Sequence, residues 1–408
     1  MQGILSQIDD GRLRPGQKPV MSDLYDFFVS HDKGYVAMPT GSGKTVMFGA
    51  LLASHDIKSL VVVPTRQLIN QTIQELRSQG VGQVIEAVNT TSRSNKLLYE
   101  NSQVVVTTYA QLVKSCRNPW GKNTVSPQDY GMVILDEAHH ALADGASQAL
   151  RSFDHAFQIG FTATPDYSEA RKLSSKLPSV IHELTISEAI AADLITPYVN
   201  GILLTNSDMS EVPVVRNEFD SRRLDVALNT YARNREIAQF FVKELVDKKS
   251  IFSCNSVSHA ESLAVELQSQ GVAAAAIHGG MPRRTQEDLL HKFKQGQITA
   301  LCNNKILTEG FDDTSIEVVV NASPTLSLVR HQQRTGRGLR LDKNNPNKEL
   351  LIIDCLDSNY RKKPVMFFDE EIAGSTGIPF GPRCRGSPLL DLPVKRKQRS
   401  RSQDGTAY

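Results

Sequence analysis

The chain has 408 residues, enough for two or three domains at ~100–200 residues each. Hydrophobic residues make up 40% and charged residues 22%, as in an ordinary soluble globular protein, and 18 Pro and 26 Gly are too few for a collagenous or low-complexity chain. A net charge of only +2 argues, taken alone, against a nucleic-acid binder.

No apolar run approaches the ~20 residues needed to span a bilayer, and no apolar leader is visible in residues 1–19. We therefore expect no membrane partner. The five cysteines, Cys116, Cys254, Cys302, Cys355 and Cys384, are widely separated and show no zinc-site spacing. They fit a reducing compartment, hence a cytoplasmic (nucleoid-associated) location, or a nuclear one in a eukaryote.

Along the chain, short β-branched runs alternate with longer amphipathic stretches. Strands are expected at 34–38, 59–64, 103–108, 132–136 and 158–162, and again at 250–254, 273–278, 299–303, 317–321 and 350–355. Runs so uniformly apolar suit parallel sheets covered on both faces. Segments 65–79 and 259–270 carry apolar residues at helical spacing. This alternation implies an α/β fold with two doubly wound parallel-sheet halves. It breaks around 203–220, a polar stretch without a period. The expected organisation is a first domain over 1–205, a linker over 206–224, a second domain over 225–358, and a partly disordered basic tail over 359–408.

The first chemical signal is Ala37-Met-Pro-Thr-Gly-Ser-Gly-Lys-Thr45, which follows a strand and opens a helical stretch. A Gly-rich loop at a helix N-terminus makes a phosphate cradle, because successive N–H groups and the helix dipole favour an anion. Thr40, Gly41, Ser42 and Gly43 would form the cradle. Lys44 would neutralise the β/γ-phosphates and Thr45 would sit on Mg²⁺. Met38 occupies the first Gly position of the strict pattern. The second signal is Val133-Ile-Leu-Asp-Glu-Ala-His-His140, an apolar run leading into two carboxylates at a strand end, where open α/β sheets bind ligands. Asp136 would hold the metal shell, and Glu137 would orient and deprotonate a water.

With these residues the chain resembles a superfamily 2 helicase or translocase, with two RecA-like domains and Asp-Glu-Ala-His in the Walker B position. The resemblance covers about 13–341. It implies ATP and Mg²⁺ as cofactors, and nucleic acid as partner. Leu13-Arg-Pro-Gly-Gln17 resembles the adenine-reading motif, with Gln17 on the adenine edge assisted by Arg14. Val63-Pro-Thr-Arg66 and Val106-Thr-Thr-Tyr109 resemble backbone-contacting motifs, which makes Thr65, Arg66, Thr107 and Thr108 candidate phosphate contacts. Gly160-Phe-Thr-Ala-Thr-Pro165 resembles motif III, whose Thr162 and Thr164, with His139, would couple the nucleotide to the nucleic acid. Segment 184–197 resembles the end of the first domain in bacterial and phage relatives.

In the second half, 250–255 resembles motif IV, with Asn255 on nucleic acid. Segment 307–312 resembles motif V, with Thr308 on the strand and Gly310 and Asp312 facing the nucleotide. Gln332-Gln-Arg-Thr-Gly-Arg-Gly-Leu-Arg340 resembles motif VI. Its Arg337 and Arg340 would meet the γ-phosphate, and Gln333 would help place the water.

The sequence Ala138-His139, Thr162 at the head of motif III, and Gln333-Arg334 resemble DNA-directed motors more than RNA-unwinding ones. DNA is therefore favoured over RNA. An RNA helicase, or an ATP-switched clamp that binds without unwinding, are the alternatives. Residues 361–408 hold ten basic and five acidic side chains, net +5, which leaves −3 for 1–360. The run Lys395–Arg401 could track phosphates, address a nucleus or meet a protein partner, or could be a solvated end.

Overall fold

The segment Ser59–Val63 reads Ser-Leu-Val-Val-Val, and all five residues are buried. Such a run suits a strand inside a parallel sheet covered on both faces. The chain is seen here in a computed structural model, which describes residues 13–87, 98–117, 126–168, 171–304 and 313–365. Described residues up to Ile195 form one compact unit and those from Thr196 form a second.

The strands of the first unit are β1 (Lys33–Ala37), β2 (Ser59–Val63), β3 (Val84–Glu86), β4 (Val104–Thr108), β5 (Met132–Asp136) and β6 (Phe157–Thr162). A short antiparallel pair, β7 (Asp166–Ser168) and β8 (Arg171–Lys172), comes next, then β9 (Ser179–Glu183). The main sheet runs β3-β4-β2-β5-β6-β1-β9, with every pair parallel. Helix Lys44–Ala53 is apolar nearly all round and buries Met47, Phe48, Leu51 and Leu52, as a helix enclosed by its own domain must. The other sheet face carries Tyr35, Leu60, Val105, Val133 and Leu135 into a core closed by Phe153.

The second unit holds β10 (Tyr198–Asp208), the hairpin β11 (Val214–Val215) and β12 (Glu218–Phe219), then β13 (Ser250–Ser253), β14 (Ala274–His278), β15 (Ala300–Asn304), β16 (Val318–Asn321) and β17 (Leu350–Ser358). Its sheet runs β10-β17-β16-β13-β15-β14, again all parallel. Position for position, this is the order β1-β6-β5-β2-β4-β3 of the first unit, so the expected pair of doubly wound halves is present. Arg216 and Asn217, at the tip of β11–β12, both have positive φ (50° and 62°), as a two-residue hairpin turn of matching twist requires.

The boundary between the halves differs from the sequence expectation. Residues 198–205, assigned to the first domain, and 206–208, read as the start of the linker, all belong to β10 of the second unit, which pairs with β17 from Tyr198 onward. The strand lies at the sheet edge, so its outward side chains are polar and the run looks aperiodic. The supposed linker continues as the hairpin and as helix Ser221–Leu228, capped by Asp220. Strands β3 and β9 were also not expected. One is three residues long, and the other, Ser-Val-Ile-His-Glu, is a mixed-polarity edge strand. Among the described residues, no helix is long and apolar enough to cross a membrane. Residues 366–408, most of the expected tail, lie outside the described residues.

Candidate active site

Because β1, β6 and β5 are adjacent and parallel, the chain leaves β1 and β5 at the same edge of the sheet. Ala37 pairs with Thr162 and Asp136 with Phe161, so the two loops emerge on either side of the β6 terminus. Met38 N–H donates to the Thr162 carbonyl at 2.8 Å and fastens the first loop there.

The loop turns through Gly41 (φ 91°) and Gly43 (φ 88°), a backbone region that L-residues avoid. Gly43 caps helix Lys44–Ala53, so the unpaired N–H groups of the first turn and the positive end of the dipole face the loop. Ser42 is fully buried, and its hydroxyl donates to Pro39 O at 2.7 Å. The Lys44 ammonium, 7% exposed, donates to Met38 O at 3.2 Å and Pro39 O at 3.5 Å. It thus caps carbonyls of the loop that it would serve. Thr40 Oγ1 is buried without a hydrogen-bond partner. Thr45 is half-buried in the helix's first turn.

Gln17 and Arg14 both reach this loop. Gln17 Nε2 donates to Ser42 O at 3.1 Å, and its Oε1 accepts from Arg14 N–H at 3.0 Å. Arg14 donates to Ser42 O at 3.2 Å and to Leu194 O at 2.8 Å. A Cβ on Gly43 would lie 2.5 Å from Gln17 Nε2. Gln17, expected on an adenine edge, is fully buried here with both ends of its amide on the protein, so in this state it braces the phosphate loop. The segment around Leu194, which carried no assigned chemistry, holds Arg14 in place. Its helix Ile186–Ala191 starts at a capping box between Thr185 and Glu188.

At the end of β5, Glu137 has φ 47°, an uncommon conformation for a residue with a Cβ and one that costs ~1–3 kcal/mol. Its N–H donates to Asp136 Oδ1 at 3.1 Å. Tyr109, buried at the start of its helix, donates its hydroxyl to the Asp136 carbonyl at 3.0 Å. Glu137 Oε2 stands 3.6 Å from His139 Nδ1. The same ring nitrogen lies 3.3 Å from Thr162 Oγ1 and 3.5 Å from Thr164 Oγ1. The structure thus brings the expected coupling residues His139, Thr162 and Thr164 together with Glu137. Burial pulls the His139 imidazole down to about 4; Glu137 opposes this, while His140 and Lys44 add to it. The ring is therefore neutral near pH 7 and close enough to feel the Lys44 charge.

Asp136 (9% exposed) and Thr45 make a sparse donor set. That fits Mg²⁺, which takes ~one or two carboxylates and fills its shell with phosphate and water. Among the described residues, no cluster of three or more His, Cys, Asp or Glu forms an all-protein metal cage.

The proposed phosphate contacts of the first unit divide. Arg66 is exposed at the start of helix Arg66–Ser78, and Thr65 caps it without a side-chain cap bond. Thr107 and Thr108 are buried, and Thr108 Oγ1 accepts from Gln111 N–H at 3.2 Å. Burial leaves both side chains poorly placed to meet a phosphate.

In the second unit, Asn255 and Gln333, expected in different roles, line one cavity of about 430 Å³. Ser253, Asn303, Asn304, Ser323 and Arg330 line it too. It opens at the C-terminal ends of β13, β15 and β16, where the chain order reverses across the sheet, as ligand crevices of open α/β sheets do. Asn255 Nδ2 donates to Ser221 O at 2.9 Å. Arg337 is buried and Arg340 half-buried, in the turn after helix Leu328–Thr335. Thr308, Gly310 and Asp312 lie outside the described residues.

Sequence reading missed Tyr109, because an aromatic at a strand end has many uses. It also missed the shared cavity of Asn255 and Gln333, whose members come from distant segments.

Two family models match in order: type III restriction enzyme, res subunit, over residues 10–167, and helicase conserved C-terminal domain over residues 218–342. The chain belongs to superfamily 2 of the helicases. A 51.5 kDa protein of Lactococcus phage (isolate 7-9) is 25% identical over 323 residues, covering 78% of this chain and 64% of the phage protein. The chain thus spans less than two thirds of that relative.

Two solved structures share the fold. The ATP-dependent Type ISP restriction-modification enzyme LlaBIII bound to DNA matches with TM-score 0.59 and 17% identity, over 86% of this chain and 28% of that one. Saccharomyces cerevisiae Dbp5 bound to RNA and ADP BeF3 matches with TM-score 0.55 and 16% identity, over 85% of this chain and 88% of that one.

Proposed function

We propose that the chain is a nucleic-acid-stimulated ATPase that moves along DNA or unwinds it. The supporting observation is the placement of the Lys44 loop and the Glu137–His139–Thr162–Thr164 cluster on either side of one strand end. ATP would draw the Lys44 ammonium from the Met38 and Pro39 carbonyls onto its β/γ-phosphates, while the cradle of Thr40, Gly41, Ser42 and Gly43 supplies N–H donors. Thr45 and Asp136 would hold Mg²⁺, which neutralises charge between the phosphates. Glu137 would orient the attacking water and take its proton. A neutral His139 leaves that carboxylate free of a competing cation and relays its position to Thr162 and Thr164.

Arg337 and Arg340 would stabilise charge on the transferred phosphoryl group, an effect worth about 10³–10⁵ in rate. Gly310 and Asp312 would face the same nucleotide. Turnover then depends on both units, and strand movement follows from their cycle. Gln17 and Arg14 would sense the nucleotide through the loop they brace. Nucleic-acid contacts would come from Arg66, Thr65 and the main chain at Thr107–Thr108 in one unit, and from Asn255 and Thr308 in the other. Gln333, which shares the cavity with Asn255, joins this group in preference to placing the water.

DNA is favoured by the motif sequence and by the restriction-enzyme family model. RNA is the second reading, favoured by the likeness to a fold bound to RNA. Stimulation of ATP turnover by single-stranded DNA, forked DNA and RNA at one stated salt concentration separates the two, because salt sets the phosphate contribution. ATP-driven displacement of a bound roadblock is expected of a motor, and its absence would favour a clamp.

A further inference from the structure

The turn Gly336–Arg340 carries both arginines, and a basic turn must be held firmly for its guanidiniums to meet a phosphate reproducibly. Lys348, 5% exposed, sits behind it. Its ammonium donates to Gly338 O at 2.8 Å, Arg340 O at 2.9 Å and Thr314 O at 2.6 Å. Three N–H donors meet three carbonyls, which uses the ammonium fully. The carbonyl between them, Leu339 O, accepts from Thr196 N–H at 2.8 Å. The Thr196 hydroxyl in turn donates to the Lys348 carbonyl. Gly338 packs so closely on Leu350 that a Cβ would lie 2.3 Å from Leu350 Cδ1. Three consecutive carbonyls of the turn are therefore satisfied from outside it, two of them by one side chain.

We infer that Lys348 is a positioning residue for ATP hydrolysis, which fixes the turn bearing Arg337 and Arg340 and ties it to the chain emerging from motif V at Thr314. The inference rests on the ATPase reading above. A lysine suits the task because one ammonium spans carbonyls from two segments, and an apolar residue of the same volume would take the donor from all three, one of them in a fully buried bond and two in part-buried ones. Burial draws the ammonium down to about 8; Asp342, Asp313 and Glu317 oppose this, and Arg340 adds to it. The neutral amine keeps two N–H donors for three carbonyls, so deprotonation releases one of them.

The test uses the full chain and Lys348→Met, which keeps length and removes every donor. Amide exchange over residues 335–342 is expected to rise about tenfold or more, with β13 and β16 as protected as in the wild type. The kcat for ATP is expected to fall about tenfold or more with KM within about twofold, because misplacement by ~1 Å alone can cost about 10²-fold. Wild-type exchange in the turn, or wild-type kcat, in a folded Lys348→Met would overturn the inference. A wild-type protein that hydrolyses no ATP would sink the functional reading by itself, while the exchange comparison still reports whether Lys348 holds the turn.

Should Lys348→Met fail to fold, the wild-type pH profile serves. Turnover is expected to decline through about pH 8, and a flat profile to pH 9.5 overturns the inference. The Lys348 titration does not itself produce this limb by unfolding the chain. Between the folded value and the ordinary lysine value, the unfolded chain binds more protons, so this group adds stability as pH rises.

Discussion

A neutral imidazole is what burial leaves at His139, and it sets the charge balance beside Glu137. Its folded value of about 4 lies below the ordinary 6.5, so the unfolded chain takes up the proton first as pH falls. The stability this group contributes is complete above pH 6.5 and lost as pH falls through about 4. Unfolding midpoints in denaturant are expected to drop across that window, and less so in His139→Asn. Equal acid sensitivity in the two proteins would remove His139 from the account. A Gly43→Ala side chain would meet Gln17 Nε2 at 2.5 Å and Arg14 Nη2 at 2.8 Å on a φ of 88°. Strain of ~1–3 kcal/mol in the loop should weaken ATP binding about tenfold or more, measured by calorimetric titration.

At the scale of elements, the second unit is locked by a buried ion pair. Arg233, in helix Tyr231–Leu245, meets Asp357 at the end of β17 through two hydrogen bonds of 2.8 and 3.0 Å, and donates to Ala322 O at 2.9 Å. Both side chains are almost fully excluded from solvent. Arg233→Met should cost ~3–5 kcal/mol, because it strands the Asp357 carboxylate. Adding Asp357→Leu should recover much of that loss, and a single variant with wild-type stability would contradict the reading.

Strands such as β2 and β5 were readable from sequence because burial on both faces demands an unbroken apolar run. The phosphate loop was readable because its glycines must adopt backbone angles that few residues allow. Strand β10 was not, since an edge strand mixes polar and apolar side chains and looks like a linker. Lys348 was invisible for a related reason. In the polar stretch 343–349 a lysine looks solvated, and only the tertiary fold closes three carbonyls around it.

For the whole molecule, the net charge of +2 points away from nucleic acid, and under the proposed function it is the wrong quantity to consult. On that reading a few loop ends would hold the strand, and residues 1–360 could carry a net −3 without conflict. The basic run Lys395–Arg401 lies outside the described residues. If it contacts phosphates, deleting residues 395–408 should flatten the dependence of DNA affinity on salt, and an unaltered slope would assign it to the solvent.

The most direct measurement is steady-state ATP hydrolysis by the full chain, with and without single-stranded DNA, in the wild type, Lys44→Ala and Arg337→Ala. The expected result is DNA-stimulated turnover in the wild type that falls about 10³-fold or more in both variants, since each removes charge stabilisation from the phosphoryl group. Wild-type turnover in both variants, or a wild type that hydrolyses no ATP in the presence of any nucleic acid, would contradict the mechanism.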